Sequence, residues 1–532
     1  MKTQNAVALA VFCAYSLSSL GGPQDSIAVK YGNTIRSIDL SRHLHIIASD
    51  SFMGRETGQP GQKLAAEYIS KQFASFNIQP INNSDLLKGY YQPFPLELRS
   101  PEGAVLTVGG VEYNFLEDFY YFQTFEDVVL EVADVVFIGY GIEEEGTYND
   151  YAGLDVEGKV LVAFSGEPID KKGRSIITGS KEPSEWIVNW RLKRNIAEQK
   201  KAAALIILSD DYESNLERLK HYVGKPRIKL AVEDDTTKSK SIPMFYVSPK
   251  MAERFFEALG RKGVERRLKN KIRRKKGPVS TTLDIAFNIK VDRKLNKLSS
   301  ENVLGFIEGT DKKEEVLIIT AHYDHLGVKE EEIFNGADDD GSGTVALIEM
   351  AEAFALARSQ GHGPRRSILF MPVAGEEKGL LGSEYYVTNP VFPLENTIAN
   401  LNIDMIGRVD SQHMGNANYV YLIGADKLSS ELHGISSKCN SDFTRLDLDY
   451  TYNDPEDPNR FYYRSDHYNF AKHNIPVIFY FTGIHEDYHK STDTVDKIDF
   501  KKMEKITRLV FFTAWALANR EERIVVDKTQ EE

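Results

Sequence analysis

The apolar positions of the chain change their spacing along its length, and each change predicts a different architecture. Residues 60–76, PGQKLAAEYISKQFASF, follow a helical period opened by Pro60 and put Leu64, Tyr68, Ile69 and Phe73 or Phe76 on one face. From about Glu131 the texture becomes β-rich. The runs EVADVVFIGYGI, GKVLVAFSGE, AAALIILSDD and IPMFYVS are short strands parted by Gly, Pro and charged loops. From Asn302 strands and helices alternate. VLGFIEG, VLIITAHYDH, SILFMPVAGEE, NLNIDMIG and IPVIFYFTG predict strands, whereas SGTVALIEMAEAFALARS, LLGSEYYV, KLSSELHGISSKC and KMEKITRLVFFTAWALANR predict helices. Such alternation predicts an α/β sandwich with a largely parallel central sheet. The β-rich middle then reads as an insertion into this larger unit, which needs the N-terminal helix to cover its sheet.

Composition narrows the function classes. A chain of 532 residues with 42% hydrophobic and 11% aromatic content builds sizeable cores in one large or two to three ordinary domains. Mean hydropathy is −0.36, and no apolar run beyond the N-terminus approaches the ~18 residues needed to span a bilayer. A formal charge of −13 argues against nucleic acid as a main partner. The basic run RKGVERRLKNKIRRKK, 261–276, goes the other way and reads as a solvated helix end.

The opening MKTQNAVALAVFCAYSLSSLGG has the order of a secretory signal: a lysine, an apolar stretch, then small residues. Export to the periplasm, cell surface or medium is expected. Cys13 follows Val-Phe, a poor lipobox, so a lipid anchor is a secondary expectation. With that segment removed only Cys439 is left, and no intramolecular disulfide can form.

The chemistry gathers where strands end, as it does in open α/β sheets. His322-Tyr323-Asp324-His325 follows VLIITA, and Asp338-Asp339-Asp340 crowd the turn NGADDDGSGT before a helix. Glu376 and Glu377 follow SILFMPVAG, Asp404 sits within NLNIDMIG, and His485-Glu486-Asp487-Tyr488-His489 follows IPVIFYFTG. Asp404, flanked by Leu, Ile and Met, is expected to be buried and so to need a cation or hydrogen bonds. Imidazole and carboxylate together suit Zn²⁺, whereas an all-oxygen set would suggest calcium or magnesium. Three adjacent acids are tolerable if one of them bridges two metals while its neighbours accept hydrogen bonds.

These motifs resemble a known family. AHYDH, NGADDDGSGT, GEEKGLLGSEYY, NIDMIGR, RSDHYNF and YHKSTDT together look like the di-zinc metallopeptidases of the bacterial leucyl aminopeptidase and glutamate carboxypeptidase II type. SDSFMGRETGQPGQKLAAEYI resembles the family's N-terminal segment, and YGI, YAGLDVEGKVLVAFSGEP and KAAALIIL resemble the protease-associated domain often inserted in it. The resemblance implies a phosphorylase/hydrolase-like three-layer α/β/α sandwich with a mixed, largely parallel sheet, plus a β-rich inserted domain. It divides the chain into a signal segment (1–22), an N-terminal part of the peptidase domain (30–125), a protease-associated-like insertion (126–290) and a catalytic part (291–525).

Carried over position by position, the resemblance implies two zinc ions per chain. His322, Asp339 and Asp404 would hold one; Asp339, Glu377 and His489 would hold the other, with Asp339 as the bridge and a cis peptide leading to Asp340. Glu376 would be the general base acting on a metal-bridging water. Asp324 would orient His322, while Asp340 and Asp466 would support the pocket. His325, His467 and His485 receive no metal role. The implied function is a zinc aminopeptidase acting on peptides. The alternatives are a single-zinc glutaminyl cyclase on the same fold and a carboxypeptidase of the same family. A metal-free binding protein is disfavoured because every expected ligand is present.

Overall fold

The computed structural model describes residues 23–81, 86–101, 103–123, 127–132, 134–231, 241–259, 263–275, 279–292 and 294–529. The expected signal segment and Arg261, Lys262 and Lys276 of the basic run lie outside them. The chain divides into two compact units. One comprises residues up to Leu96 together with those from Leu298 onward; the other is Glu97–Lys297.

The first unit opens with helices α1 (Pro23–Gly32), α2 (Ser37–Ile47) and α3 (Pro60–Ser75). It continues with β1 (Gly305–Ile307), β2 (Lys312–His322), α4 (Gly343–Ser359), β3 (Arg366–Val373), α5 (Leu381–Thr388) and β4 (Thr397–Ile403). The remaining elements are β5 (Tyr419–Ile423), α6 (Ser430–Cys439), β6 (Asp447–Asp449), α7 (His467–Ala471), β7 (Val477–Phe481) and α8 (Phe500–Asn519). The seven strands form one sheet in the order β1-β3-β2-β4-β7-β5-β6. Its centre, β3-β2-β4-β7, is parallel throughout, while β1 and β5 join antiparallel. The fold is therefore α/β with a mixed, largely parallel sheet.

Continuous burial explains the unbroken apolar run of β2: every residue from Val316 to His322 is buried, as expected of a strand covered on both faces. Alternation assigns the covers. Phe370 of β3 meets Phe354 of α4, which in turn meets Phe511 and Trp515 of α8. Its neighbours Leu369 and Met371 point the other way, into a core shared with Tyr386 of α5 and Phe470 of α7. Three layers result.

The inward face of α3 differs from the sequence expectation. Ile69 and Phe73 are buried, but so are Gln62, Ala65 and Ala66, and Leu64 is 42% exposed. The cause is Gln62. Its amide donates to Glu301 Oε1 at 3.0 Å and accepts from Ser300 Oγ at 3.1 Å, and this turns the helix onto its small alanines.

In the second unit the four β-rich runs become Val135–Phe137, Val160–Phe164, Ala204–Leu208 and Met244–Val247. They lie parallel and adjacent in a six-stranded sheet edged by Thr281–Leu283 and Phe119–Tyr121. A separate four-stranded sheet joins Val105–Val108, Val111–Asn114, Val128–Val132 and Phe287–Val291. The basic run forms the helix Val264–Lys275, with Val264 and Ile272 buried.

Candidate metal centre

Four neighbouring parallel strands deliver the chemistry to one edge of the first unit's sheet. His322 ends β2; Glu376 and Glu377 form the turn after β3; Asp404 follows β4; His485–His489 lie beyond β7. Because β3, β2, β4 and β7 run side by side, their carboxyl ends converge. The acidic turn 338–340 reaches the same edge just ahead of α4.

The three adjacent aspartates point into three different environments. Asp338 Oδ1 accepts from Gly407 N at 2.6 Å, while its Oδ2 lies 3.3 Å from His485 Nε2. Asp340 accepts backbone N–H groups of His322 (3.1 Å), Gly343 (2.8 Å) and Met405 (3.1 Å). Residue 343 must be glycine, since a Cβ there would stand 2.6 Å from the Asp340 carboxylate. Asp339, between them and joined to Asp340 by a cis peptide, turns toward the imidazoles. Its Oδ1 is 3.2 Å from His322 Nε2 and its Oδ2 is 3.1 Å from His489 Nε2.

Two groups of donors share this carboxylate. His322, Asp339 and Asp404 present ligand atoms within 4.8 Å of one another, as do His325, Asp339 and Glu377. His489 Nε2 approaches the second group, 3.3 Å from Glu377 Oε2. The backbone at His489 has φ 57°, a left-handed conformation that a histidine adopts at a cost.

The supports are specific. His322 Nδ1 donates to the backbone carbonyl of Asp324 at 3.0 Å, which assigns the ring proton to Nδ1 and leaves the Nε2 lone pair facing Asp339 and Asp404. The Asp324 carboxylate is not the ring's acceptor; at 3.9 Å it is too far. It accepts instead from Thr57 Oγ1 (2.6 Å) and Glu376 N (3.2 Å), fixing the glutamate turn. Ser465 Oγ donates to Asp404 Oδ2 at 2.7 Å, and Asp466 accepts from Ser383 Oγ.

Electrostatics mark a site built around positive charge. Burial alone would raise Asp339, but the imidazoles of His322 and His489, with His325 nearby, hold it well below the usual carboxylate range. Glu377, pushed up by burial and by Asp339, is brought down to about 2 by His325 and His489. Glu376 goes the other way: burial, with Glu377, Asp404 and Asp466 close by, pushes it well above the usual range despite His322. Asp466 is likewise pushed up to about 7, chiefly by burial.

The residues fit divalent cations of the zinc type. Asp339 shares one group of ligand atoms with His322 and Asp404 and another with His325 and Glu377, and the donors are carboxylate and imidazole.

Two residues near the centre escaped sequence reasoning. His325 was left without a role, yet its Nδ1 is 2.8 Å from Glu377 Oε1. The spacing His-x-x-His was its only signal, and it looked wrong for a strand because residues three apart face opposite sides. The strand, however, ends at His322. Arg55 is fully buried and donates to the carbonyls of Ile47, Tyr323, Asn335 and Gly336, which pins the acidic turn from behind.

Comparison with known proteins agrees with this geometry. Residues 302–514, which carry every candidate ligand, match the model of peptidase family M28. The chain is similar to a probable glutamate carboxypeptidase of Zea mays, 26% identical over 291 residues that cover 51% of this chain and 36% of that protein. It is also similar to a probable leucine aminopeptidase of Arthroderma otae, 30% identical over 236 residues, 43% of this chain and 61% of that one. The chain thus spans less than two thirds of the length of either relative. Among solved structures, an aminopeptidase from Aneurinibacillus sp. strain AM-1 shares the fold, with a TM-score of 0.53 and 18% identity over 95% of this chain and 100% of that one.

Proposed function

We propose that this protein is a zinc-dependent exopeptidase of the M28 type, an aminopeptidase that removes N-terminal residues from peptides. The observation that carries the reading is one carboxylate, Asp339, common to two groups of buried donors, with Glu376 at their margin. His322, Asp339 and Asp404 would hold one zinc; Asp339, Glu377 and His489 would hold the other, with His325 2.8 Å from Glu377 Oε1. When bound, the two ions supply Lewis acidity to the scissile carbonyl and to the attacking water.

The chain's own groups do the rest. Glu376, whose Oε2 lies 3.9 Å from His322 Nε2 and which ligates neither ion, takes a proton from the water and passes it to the leaving amine. Ser465 and the Asp340 carboxylate hold Asp404 and the His322 backbone in place. Phe461, Phe479, Phe481 and Ile484 line the cleft and exclude solvent from it. A glutaminyl cyclase works with a single zinc but keeps much of the same acid and histidine set; the similarity to a probable leucine aminopeptidase supports the peptidase over it.

We also read residues 126–290, which fall within the compact unit Glu97–Lys297, as a protease-associated-like insertion, and the protein as exported on its signal-like opening residues; sequencing the N-terminus of the mature protein checks the cleavage. Among the described residues no helix is long and apolar enough to cross a membrane.

The deciding test is hydrolysis of free-amine and N-blocked peptides, with chelator and with zinc re-added. Chelator-sensitive release of free N-terminal residues alone is the expected result. Cleavage restricted to blocked or C-terminally acidic peptides would move the assignment to a carboxypeptidase. Silence on every peptide, with glutaminyl cyclisation instead, would move it to the cyclase.

A further inference from the structure

Three arginines close to the motifs, Arg408, Arg460 and Arg464, have different surroundings. Arg408 Nη2 pairs with Glu486 (3.2 Å) and Asp487 (3.0 Å), so its charge is already matched. Arg460 lies over the ring of Tyr463, 4.7 Å from its centroid. Arg464 lines the same cleft as His322, Asp339 and Glu376, and apart from the histidines it is the one cationic side chain that does so. It is exposed, rests on the Phe461 ring at 4.9 Å, and donates a long hydrogen bond of 3.4 Å to Tyr488 OH. Tyr488 in turn stacks on His489, with centroids 3.8 Å apart. One aromatic ring therefore separates a guanidinium with no ion pair among the described residues from a candidate metal ligand.

Most of the remaining wall is apolar: Met405, Phe461, Phe479, Phe481 and Ile484. The guanidinium stands at the exposed edge of the cleft, and its planar fork of donors matches a carboxylate.

We propose that Arg464 binds a carboxylate of the substrate close to the scissile bond. The inference rests on the aminopeptidase reading and specifies its substrate class. A residue adds only about 3.3–3.6 Å to an extended chain, so the carboxylate must come from the residue just after the bond or the next one. Two sources supply it: the free C-terminus of a dipeptide, or the side chain of an acidic second residue.

The test uses zinc-loaded full-length protein and four peptides: Leu-Ala and Leu-Ala-amide, Leu-Glu-amide and Leu-Gln-amide. Wild type should favour the carboxylate in at least one pair by about tenfold in kcat/KM, the scale of a charge-assisted hydrogen bond, with the difference carried by KM. A preference in the first pair identifies the C-terminus, and one in the second identifies the side chain. In Arg464→Gln the ratio within that pair should fall toward one, and Arg464→Lys should restore part of it. Zinc content and Tm are measured on every variant, so that a folding defect is told apart from lost recognition. Equal rates within both wild-type pairs would overturn the proposal while leaving the aminopeptidase reading intact. So would a ratio that survives in a folded Arg464→Gln. If wild type releases no leucine from any of the four, the aminopeptidase reading fails and this inference fails with it.

Discussion

Asp493 Oδ2 accepts the backbone N–H groups of two consecutive residues, Asp338 at 3.0 Å and Asp339 at 3.2 Å. The acid that lies between the two donor groups is thus aimed by a carboxylate on a loop 154 residues away in sequence, roughly as a ligating histidine is aimed by its outer partner. Asp493→Ala leaves both amides buried without an acceptor, at about 1–3 kcal/mol each. We expect zinc affinity to fall by about 10–100-fold, and the metal-free protein to be less stable as well. Competition with a chromophoric chelator measures the first, and urea unfolding the second. An unchanged zinc affinity would mean that the turn keeps its shape without Asp493.

The two glutamates of the turn after β3 separate in their electrostatics, with Glu377 held low by imidazoles and Glu376 held high by burial and neighbouring acids. Glu376→Gln keeps the shape and removes the base. Turnover should drop by about 10²–10⁴-fold, with two zinc ions still counted per chain. Loss of an ion from this variant would exchange the roles given to Glu376 and Glu377.

Asp339 and Glu377 are approached by two imidazoles, those of His325 and His489. If His489 is the ligand and His325 holds Glu377 in place, the two alanine variants behave differently. His489→Ala should lower the zinc count from two to one, whereas His325→Ala should keep two ions at affinities about 10–100-fold weaker. Elemental analysis after dialysis against graded chelator reads both. The reverse pattern would make His325 the ligand.

The alternation of strand and helix from Asn302 onward was legible because β2, β3, β4 and β7 are covered on both faces and so appear as unbroken apolar runs. Strand β5 and the edge strand β6 escaped notice, β6 because DLD carries no apolar period at all. Helix α2 escaped too, since its SIDLSRHLHII mixes polar residues into a short stretch. In the centre, single acids and histidines at strand ends could be found one at a time. Arg55 could not, because nothing local to GRE shows that its guanidinium will meet four carbonyls from residues up to 281 positions away. Asp324 was found as a partner of His322, but sequence does not show that its backbone carbonyl rather than its carboxylate makes the contact.

His467 gives the clearest dependence on pH outside the ligand set. It is buried, and its ring stacks on Phe479 with centroids 4.8 Å apart. Burial pushes the imidazole down from 6.5 to about 3. The folded value lies below the unfolded one, so the fold favours the neutral ring. The associated stability is fully present above pH 6.5 and is lost as pH falls from there toward 3. The whole gap corresponds to about 5 kcal/mol. His467→Phe keeps an aromatic ring in the stack and removes the titration. Urea unfolding of both metal-free proteins in chelator keeps zinc release out of the comparison. Between pH 7.5 and 6.5 the stability difference between wild type and variant should be nearly constant. Below that, wild type should lose ground steadily with each further pH unit. Parallel curves down to pH 4 would mean that the folded protein admits the charged ring, and that its surroundings are wetter than the packing of Phe479 and Tyr462 around it implies.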